Sequence, residues 1–131
     1  MIVVDASVLI EVLRQSEAAH AIEEHLFARA ETLHAPHLLD LEVARVLRRY
    51  VQRGDMSPRR RGAEALDDLR GFRLTRYEHE AFLPGIWELR DRCTVYDAAY
   101  LALAETLDAT LLTRDRALAA AAREDVRVEV V

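Results

Sequence analysis

The sequence predicts an α/β fold with a central, mostly parallel sheet and helices on both of its faces. Short apolar, often β-branched runs alternate along the chain with longer segments whose apolar residues recur at helical spacing. Because parallel strands need long crossovers that usually contain a helix, this alternation favours a parallel sheet. Hydrophobic residues make up 51% of the 131 positions, enough for a sizeable core, and there is no repeat or linker. We therefore expect one domain over residues 1–131.

The first third of the chain predicts a strand, two helices and a second strand. Ile2 to Val4 is an apolar, β-branched run that is typical of a buried strand. A helix through residues 8–13 should follow it, and a second helix should span about residues 18–30, where apolar side chains share one face. Residues 33–35 form a weaker strand candidate, and Pro36 closes it because proline has no N–H group for the sheet.

The middle of the chain contains the clearest helical pattern. Apolar residues over 38–51 fall on one stripe at helical spacing, which predicts a helix there. Ser57 and Pro58 are typical of the N-cap and the first position of a further helix. That helix should run to about Arg70 and end at Gly71.

The last part of the chain predicts three strands that alternate with helices. In the helix over 79–92 we expect Trp87 to pack in the core, since large aromatic side chains usually do. The predicted elements are, in order, a strand over 72–75, a helix over 79–92, a helix that Asp97 opens and that runs through Leu107, a strand over 109–113, a helix that Asp115 opens, and a strand over 126–131.

The charge composition restricts the chemistry open to the chain. The formal net charge of −5 by itself disfavours a nucleic-acid partner. A metal ion held by several of the acids would, however, offset part of this charge. All 18 cationic residues are arginines, and the planar guanidinium binds phosphate well. The absence of lysine excludes P-loop chemistry, Schiff-base chemistry and phospho-receiver sites that need a lysine.

Cysteine content and hydropathy indicate the compartment. Cys93 is the sole cysteine, so there is no intrachain disulfide, and a reducing compartment fits. Too few apolar residues separate Met1 from Asp5 for the core of a signal peptide, and no apolar run approaches the ~20 residues of a membrane span. We therefore expect a cytoplasmic protein.

Four acidic residues lie beside apolar runs, at positions where an α/β fold places the edge of the sheet that carries its active site. Three of them follow predicted strands or begin a predicted helix, which places them at the carboxyl edge of the sheet, where ligands bind. Carboxylates that converge there repel one another by about 4 kcal/mol per pair at ~4 Å and an effective dielectric near 20. A divalent metal ion would relieve that repulsion. The residues are Asp5 in IVVDAS, Glu42 in LLDLEVARVL, Asp97 in TVYDAAYLALA and Asp115 in LLTRD.

Each acid also has a structural interpretation. Asp97 and Asp115 could be helix N-caps, a position that aspartate favours. Glu42 could be a solvated helix residue. Asp5 is harder to explain in this way, because an acid directly after a buried strand costs free energy unless it is paired or functional. The metal-site hypothesis therefore depends on the four acids as a set.

Helix geometry places Glu42 at the border of the buried face of its helix. At about 100° per residue, Glu42 lies about 60° from the apolar stripe around Leu39 and Val46. Arg45 and Arg49 follow on the same flank. This pattern predicts a metal site that adjoins a track of cations suited to phosphate groups.

Together, these motifs resemble those of PIN-domain ribonucleases, and within them the VapC-type toxins of type II toxin–antitoxin systems. The matching segments are IVVDAS with Asp5, LLDLEVARVL with Glu42, YDAAYLALA with Asp97, and LLTRD with Asp115. Each motif is short, but their order and separations make the set specific, and the resemblance runs from end to end. It implies a single PIN-like domain over residues 1–131.

The resemblance also implies an activity and partners. The activity would be hydrolysis of RNA phosphodiester bonds with Mg²⁺, or with Mn²⁺ in its place. Ser7 and Thr113 would assist at the site, and Arg45 and Arg49 would contact the RNA backbone. The helices over residues 8–30 and 58–69 would form a groove for a cognate VapB-like antitoxin and for homodimerisation. The metal-binding and catalytic residues would be Asp5, Asp97, Glu42 and Asp115, with the first two as primary ligands.

Two other classes of protein place acids at this edge of a sheet. A phosphatase of the haloacid dehalogenase type also has an aspartate after the first strand, but it needs a second aspartate two residues on and a lysine. Position 7 is serine and lysine is absent, so this class fits poorly. The alternative that stays open is a non-catalytic α/β regulatory or binding module whose acids are helix caps and surface charge.

Overall fold

The computed structural model describes residues 1–27 and 30–131, which contain one sheet of five parallel strands. The strand order across the sheet is β3-β2-β1-β4-β5. A parallel sheet with helices between its strands confirms the predicted fold class. The strands are β1 (Ile2–Val4), β2 (Leu33–Pro36), β3 (Leu74–Tyr77), β4 (Thr110–Thr113) and β5 (Val128–Val130).

The chain changes direction across the sheet between β1 and β4. β1 lies at the centre, where it pairs with β2 on one side and with β4 on the other. From β1 the chain proceeds outward to β2 and β3, and it then returns to β4 before it proceeds outward to β5. Parallel sheets open a crevice at such a switch point, beyond the carboxyl ends of the strands. Asp5 directly follows β1, and Thr113 is the last residue of β4.

Helices cover both faces of the sheet. α1 packs against α2, α3 and α4, whereas α6 packs against α5, β1, β2 and β4. A π-helical turn over Pro58–Gly62 precedes α4, and a 3₁₀ turn over Glu80–Phe82 precedes α5. None of the helices in the described residues is long and apolar enough to cross a membrane. The helices are α1 (Ala6–Leu13), α2 (Ala19–Phe27), α3 (Leu38–Gln52), α4 (Ala63–Gly71), α5 (Leu83–Glu88), α6 (Val95–Thr106) and α7 (Arg116–Ala121).

The core lies between the central strands and the helices on either side. Val3 and Val4 are fully buried because β1 has neighbours on both edges and helices on both faces. All of residues 98–104 in α6 are also buried, and three of the first five are alanines that let the helix lie close to the strands. Among these seven buried residues, the side chain that carries a polar atom is that of Tyr100, which is only 1% exposed.

Several element boundaries differ from the predicted ones by a few residues. β3 begins two residues later than predicted, and α6 begins at Val95 instead of Asp97 because Thr94 provides the N-cap. The helix predicted over 18–30 corresponds to α2, and residues 28 and 29 lie outside the described part of the chain. The helix predicted over 79–92 is divided into a 3₁₀ turn and α5.

The prediction that Trp87 packs in the core is wrong. Trp87 is 66% exposed, whereas Ile86 and Leu89 are buried. α5 is a short helix; Ile86 faces the core from within it and Leu89 does so directly after its end, so the indole lies outside the core. The Arg90 guanidinium lies over the Trp87 ring, 5.3 Å from its centre, and covers part of one face.

Candidate active site

Asp5 lies at the junction of β1 and α1, at the switch point of the sheet. Its backbone is extended, and its N–H donates to the Leu112 carbonyl at 3.0 Å, so the residue still pairs with β4. Its side chain receives two hydroxyl hydrogen bonds on the same oxygen, Oδ2. Ser7 Oγ donates at 2.5 Å and Thr113 Oγ1 at 2.7 Å. These contacts hold the carboxylate in one orientation at the base of the crevice.

Burial makes the negative charge of Asp5 unfavourable. The residue is 8% exposed, and this burial raises the pKa of Asp5 above its ordinary value. Hydrogen bonds from Ser7, from Thr113 and from the backbone at Ala6 and Ser7 act in the opposite direction, but they do not cancel the effect. A cation bound in the crevice would supply the charge compensation that these neutral donors leave incomplete.

Glu42 extends from the first half of α3 toward the same crevice. It is partly buried, and the Tyr100 hydroxyl donates to its Oε2 at 2.7 Å. Burial raises the pKa of Glu42, and the negative charges of Asp5 and Asp97 raise it further, whereas Tyr100 and Arg45 act to lower it. The charges of Asp5 and Asp97 thus both act on the Glu42 carboxylate.

Asp97 lies in the first turn of α6. Thr94 is the N-cap of this helix, because its Oγ1 accepts a hydrogen bond of 3.2 Å from the Asp97 backbone N–H. The alternative that Asp97 is itself the cap is therefore wrong. Its carboxylate still lies near a helix N-terminus, where the helix dipole favours negative charge.

Asp115 is connected to Asp5 through Thr113, but it also has a structural role. The Asp115 N–H donates to Thr113 Oγ1 at 2.9 Å, and the same hydroxyl donates to Asp5. The Asp115 side chain caps α7, since its Oδ1 accepts from the N–H groups of Ala117 and Leu118 at 2.8 and 3.2 Å. One carboxylate oxygen of Asp115 is thus engaged by its own helix, as the structural interpretation predicted.

The donor set suits a hard divalent cation. The four candidate residues offer only carboxylate oxygens, which Mg²⁺ and Mn²⁺ prefer over sulfur ligands. The described residues contain no group of three or more His, Cys, Asp or Glu side chains arranged to hold one ion together. Mg²⁺ commonly keeps several waters and takes one or two carboxylates directly. The site therefore fits an ion with few direct protein ligands, with the other acids acting through water.

The two arginines predicted on the flank of Glu42 have different surroundings. Arg45 is exposed and lines a cleft together with Glu42, Leu38, Leu41 and Tyr96. Arg49 is also exposed, but it lines a separate cleft one turn further along α3. Of the two guanidiniums, that of Arg45 is therefore the one beside the acidic crevice.

Comparisons with known proteins agree with this architecture. A family model described as the PIN domain matches residues 2–124. This chain belongs to the PIN domain family. The ribonuclease VapC9 of Mycobacterium tuberculosis is 39% identical over 131 residues, which cover 100% of this chain and 98% of that protein. The resemblance to the VapC-type members of the PIN domain family is thereby confirmed.

Solved structures share the PIN fold at low sequence identity. VapC20 of Mycobacterium tuberculosis, described as a sarcin-ricin loop cleaving toxin, has a TM-score of 0.70 at 18% identity, and the match covers 97% of this chain and 99% of VapC20. A toxin-antitoxin complex from Klebsiella pneumoniae has a TM-score of 0.63 at 17% identity, with coverage of 97% and 99%. At these identities the likeness shows the fold alone.

The sequence motifs predict no role for Tyr100, although it belongs to the YDAAYLALA segment of this PIN domain. Its hydroxyl contacts Glu42 across 58 positions of sequence. The signal that could have identified it is local: a tyrosine in an otherwise apolar, alanine-rich run, three residues after Asp97 and hence on the same helix face. The partner of its hydroxyl depends on how α3 and α6 pack, which no motif states.

Proposed function

We propose that this PIN-domain protein is a divalent-metal-dependent endoribonuclease of the VapC type. The observation that carries the proposal is the acidic crevice at the switch point, where Asp5 is buried against hydroxyl donors, Tyr100 donates to Glu42, and the charges of Asp5 and Asp97 both act on Glu42. A soluble module that used its acids only as caps and surface charge would gain nothing from bringing them together. A nuclease site gains a place to bind a cation.

Mg²⁺, or Mn²⁺ in its place, would be held by Asp5 and Asp97, with Glu42 and Asp115 completing the site directly or through water. When bound, the ion supplies positive charge for a phosphate oxygen and a water of lowered pKa for the attack. Ser7 and Thr113 orient the Asp5 carboxylate through its Oδ2. Burial of Asp5 keeps water away from that contact and strengthens the field that a cation meets there.

The proposed substrate is RNA. VapC9, to which the chain is 39% identical, is named a ribonuclease, and VapC20 is described as a sarcin-ricin loop cleaving toxin. Arg45 lines the cleft that Glu42 enters, so its guanidinium can contact a backbone phosphate while the acids face the next one. Arg49 would extend this contact along α3. The proposed reaction is hydrolysis of a phosphodiester bond.

The proposed partner is a VapB-like antitoxin, with a homodimer as the toxin unit. The Klebsiella pneumoniae neighbour was solved as a toxin-antitoxin complex. In this chain, a cleft between α1, α2 and α4 includes the apolar residues Val12, Leu13 and Phe72, which a partner helix could cover. We further propose that the protein acts in the cytoplasm, where its single cysteine would stay reduced.

The test is cleavage of RNA by purified protein freed of any partner. A panel of structured RNAs is incubated with Mg²⁺ or Mn²⁺, with and without EDTA, for the wild type and for Asp5→Ala. Asp125→Ala is the matched control, since Asp125 is exposed and precedes β5, at the opposite edge of the sheet from Asp5.

We expect metal-dependent cleavage by the wild type and by Asp125→Ala, and none by Asp5→Ala. Growth assays should show toxicity for the same two proteins, relieved by the product of a small neighbouring reading frame. No cleavage across the panel, together with unchanged toxicity of Asp5→Ala, would sink the nuclease proposal. It would favour the non-catalytic module.

A further inference from the structure

Tyr100 is a buried residue whose hydroxyl group faces the acidic crevice. The residue is 1% exposed and is the largest of the fully buried side chains in the described part of the chain. Its hydroxyl donates to Glu42 Oε2 at 2.7 Å. This bond joins α6, which carries Asp97, to α3, which carries Glu42.

The hydroxyl also lies close to the start of α1. The charges of Glu42 and Asp5 both act, after burial, to raise the pKa of Tyr100, and the backbone at Ala6 acts to lower it. The Tyr100 oxygen is therefore near the three elements that carry Asp5, Glu42 and Asp97.

Packing alone does not explain a tyrosine at this position. A phenylalanine would fill the same volume, and it would not place a polar atom among buried apolar residues, where an unpaired hydroxyl costs free energy. The hydroxyl is satisfied because Glu42 Oε2 accepts its hydrogen bond. The contact therefore matters to Glu42 at least as much as to the core.

Glu42 needs such a contact because its side chain has a competing partner. A glutamate has several rotatable bonds, and ordering it costs conformational entropy. Arg45 lies three residues later on the same helix, and its charge attracts Glu42. Without Tyr100, the carboxylate could turn outward toward Arg45 and solvent.

We propose that Tyr100 is a positioning residue that holds the Glu42 carboxylate in the crevice, in the orientation that a divalent cation requires. The inference rests on the proposed function, which it deepens. Residues that orient the ligands of an ion change its affinity by about 10- to 100-fold when they are removed. Tyr100→Phe should therefore act through the ion while it leaves the core filled.

The test uses Mn²⁺ as the probe. Binding is followed by the electron paramagnetic resonance signal of free Mn²⁺ in the wild type, Tyr100→Phe, Glu42→Gln and the double variant. Tyr77→Phe is the control, because the Tyr77 hydroxyl also forms a hydrogen bond with a buried side chain, of 2.9 Å to His34 Nδ1, and Tyr77 lies on the outer strand β3. Circular dichroism checks folding. Should Tyr100→Phe not fold, Tyr100→Met takes its place, since methionine fills irregular space.

We expect Tyr100→Phe to weaken Mn²⁺ binding and RNA cleavage by about 10- to 100-fold. Tyr77→Phe should stay within about two-fold of the wild type, and adding Tyr100→Phe to Glu42→Gln should change binding by less than about two-fold. The inference would be overturned, and the proposed function left standing, if Tyr100→Phe bound Mn²⁺ with wild-type affinity. The same would follow if Tyr100→Phe weakened binding equally in the wild type and in Glu42→Gln. A wild type that neither binds Mn²⁺ nor cleaves RNA would overturn the proposed function and the inference with it.

Discussion

Thr113 Oγ1 donates a hydrogen bond of 2.7 Å to Asp5 Oδ2, across 108 positions of sequence. Thr113 is fully buried at the end of β4, and Asp5 follows β1, the strand with which β4 pairs. The same hydroxyl accepts the Asp115 N–H at 2.9 Å. One hydroxyl thus joins the first and last acids of the candidate site.

Thr113→Val should destabilise the protein and impair cleavage. Valine has the same shape, but it removes one of the two hydroxyl donors to Asp5 Oδ2 and leaves the Asp115 N–H without its acceptor. Buried groups that lose a partner in this way cost about 1–3 kcal/mol. Urea denaturation should show a loss of that size, whereas Thr113→Ser, which keeps the hydroxyl, should lose less. Equal stability of Thr113→Val and the wild type would contradict the importance of this network.

Asp5→Asn should abolish cleavage without lowering stability at pH 7. Most substitutions of buried residues destabilise by about 1 kcal/mol, but burial makes the charge of Asp5 unfavourable, and the neutral amide removes it. The loss of an ion ligand removes several kcal/mol of transition-state stabilisation, which lowers the rate by more than about 100-fold.

Thermal unfolding with and without Mn²⁺ measures both the stability of Asp5→Asn and its ability to bind the ion. Saturating Mn²⁺ at about 100 times its Kd should stabilise the wild type by about 2.7 kcal/mol and should have little effect on Asp5→Asn. A variant that responds to Mn²⁺ like the wild type would show that Asp5 is not a ligand.

Glu42 should make stability fall as pH rises in the metal-free protein. Burial and neighbouring negative charges raise the pKa of Glu42 in the folded state. Between the unfolded and folded pKa values, the folded protein holds a proton that the unfolded chain has released, so stability decreases with pH in that window.

Glu42→Gln does not titrate, so its stability relative to the wild type should increase as pH rises from about 4 and level off above the folded pKa. Urea titrations in EDTA at a series of pH values test this, with Glu80→Gln, a change at an exposed residue, as the control. A difference between Glu42→Gln and the wild type that does not vary with pH would refute the assignment.

Arg45 should contribute to RNA binding through phosphate contact. Arg45→Ala should raise the KM for RNA and lower the slope of log K against log salt by about 0.7, the value for one phosphate contact on a single strand. Arg49→Ala should have a similar but smaller effect. Arg48 is exposed on the same helix but points about 120° away from Glu42, so Arg48→Ala should bind like the wild type. Equal slopes of log K against log salt for all three variants would show that Arg45 and Arg49 do not form a phosphate-binding track.

The sequence by itself determined the fold class and pointed to the four candidate acids. Both follow from local patterns: apolar runs of strand length, apolar stripes at helical spacing, and acids directly after strands or in the first turn of helices. α3 was predicted almost to the residue, since Leu38–Gln52 has the strongest such stripe. The capping of α7 by Asp115 is also predictable locally, since the N–H groups whose hydrogen bonds it accepts lie within three residues of it in sequence.

The tertiary structure alone decided which of these residues meet. The strand order places β4 beside β1, so Thr113 reaches Asp5, and the packing of α6 near α3 lets Tyr100 reach Glu42. The outward direction of Trp87 likewise depends on which residues of α5 the core accepts. These contacts join residues far apart in the chain, and their free energy depends on the arrangement of whole strands and helices, which local propensity does not contain.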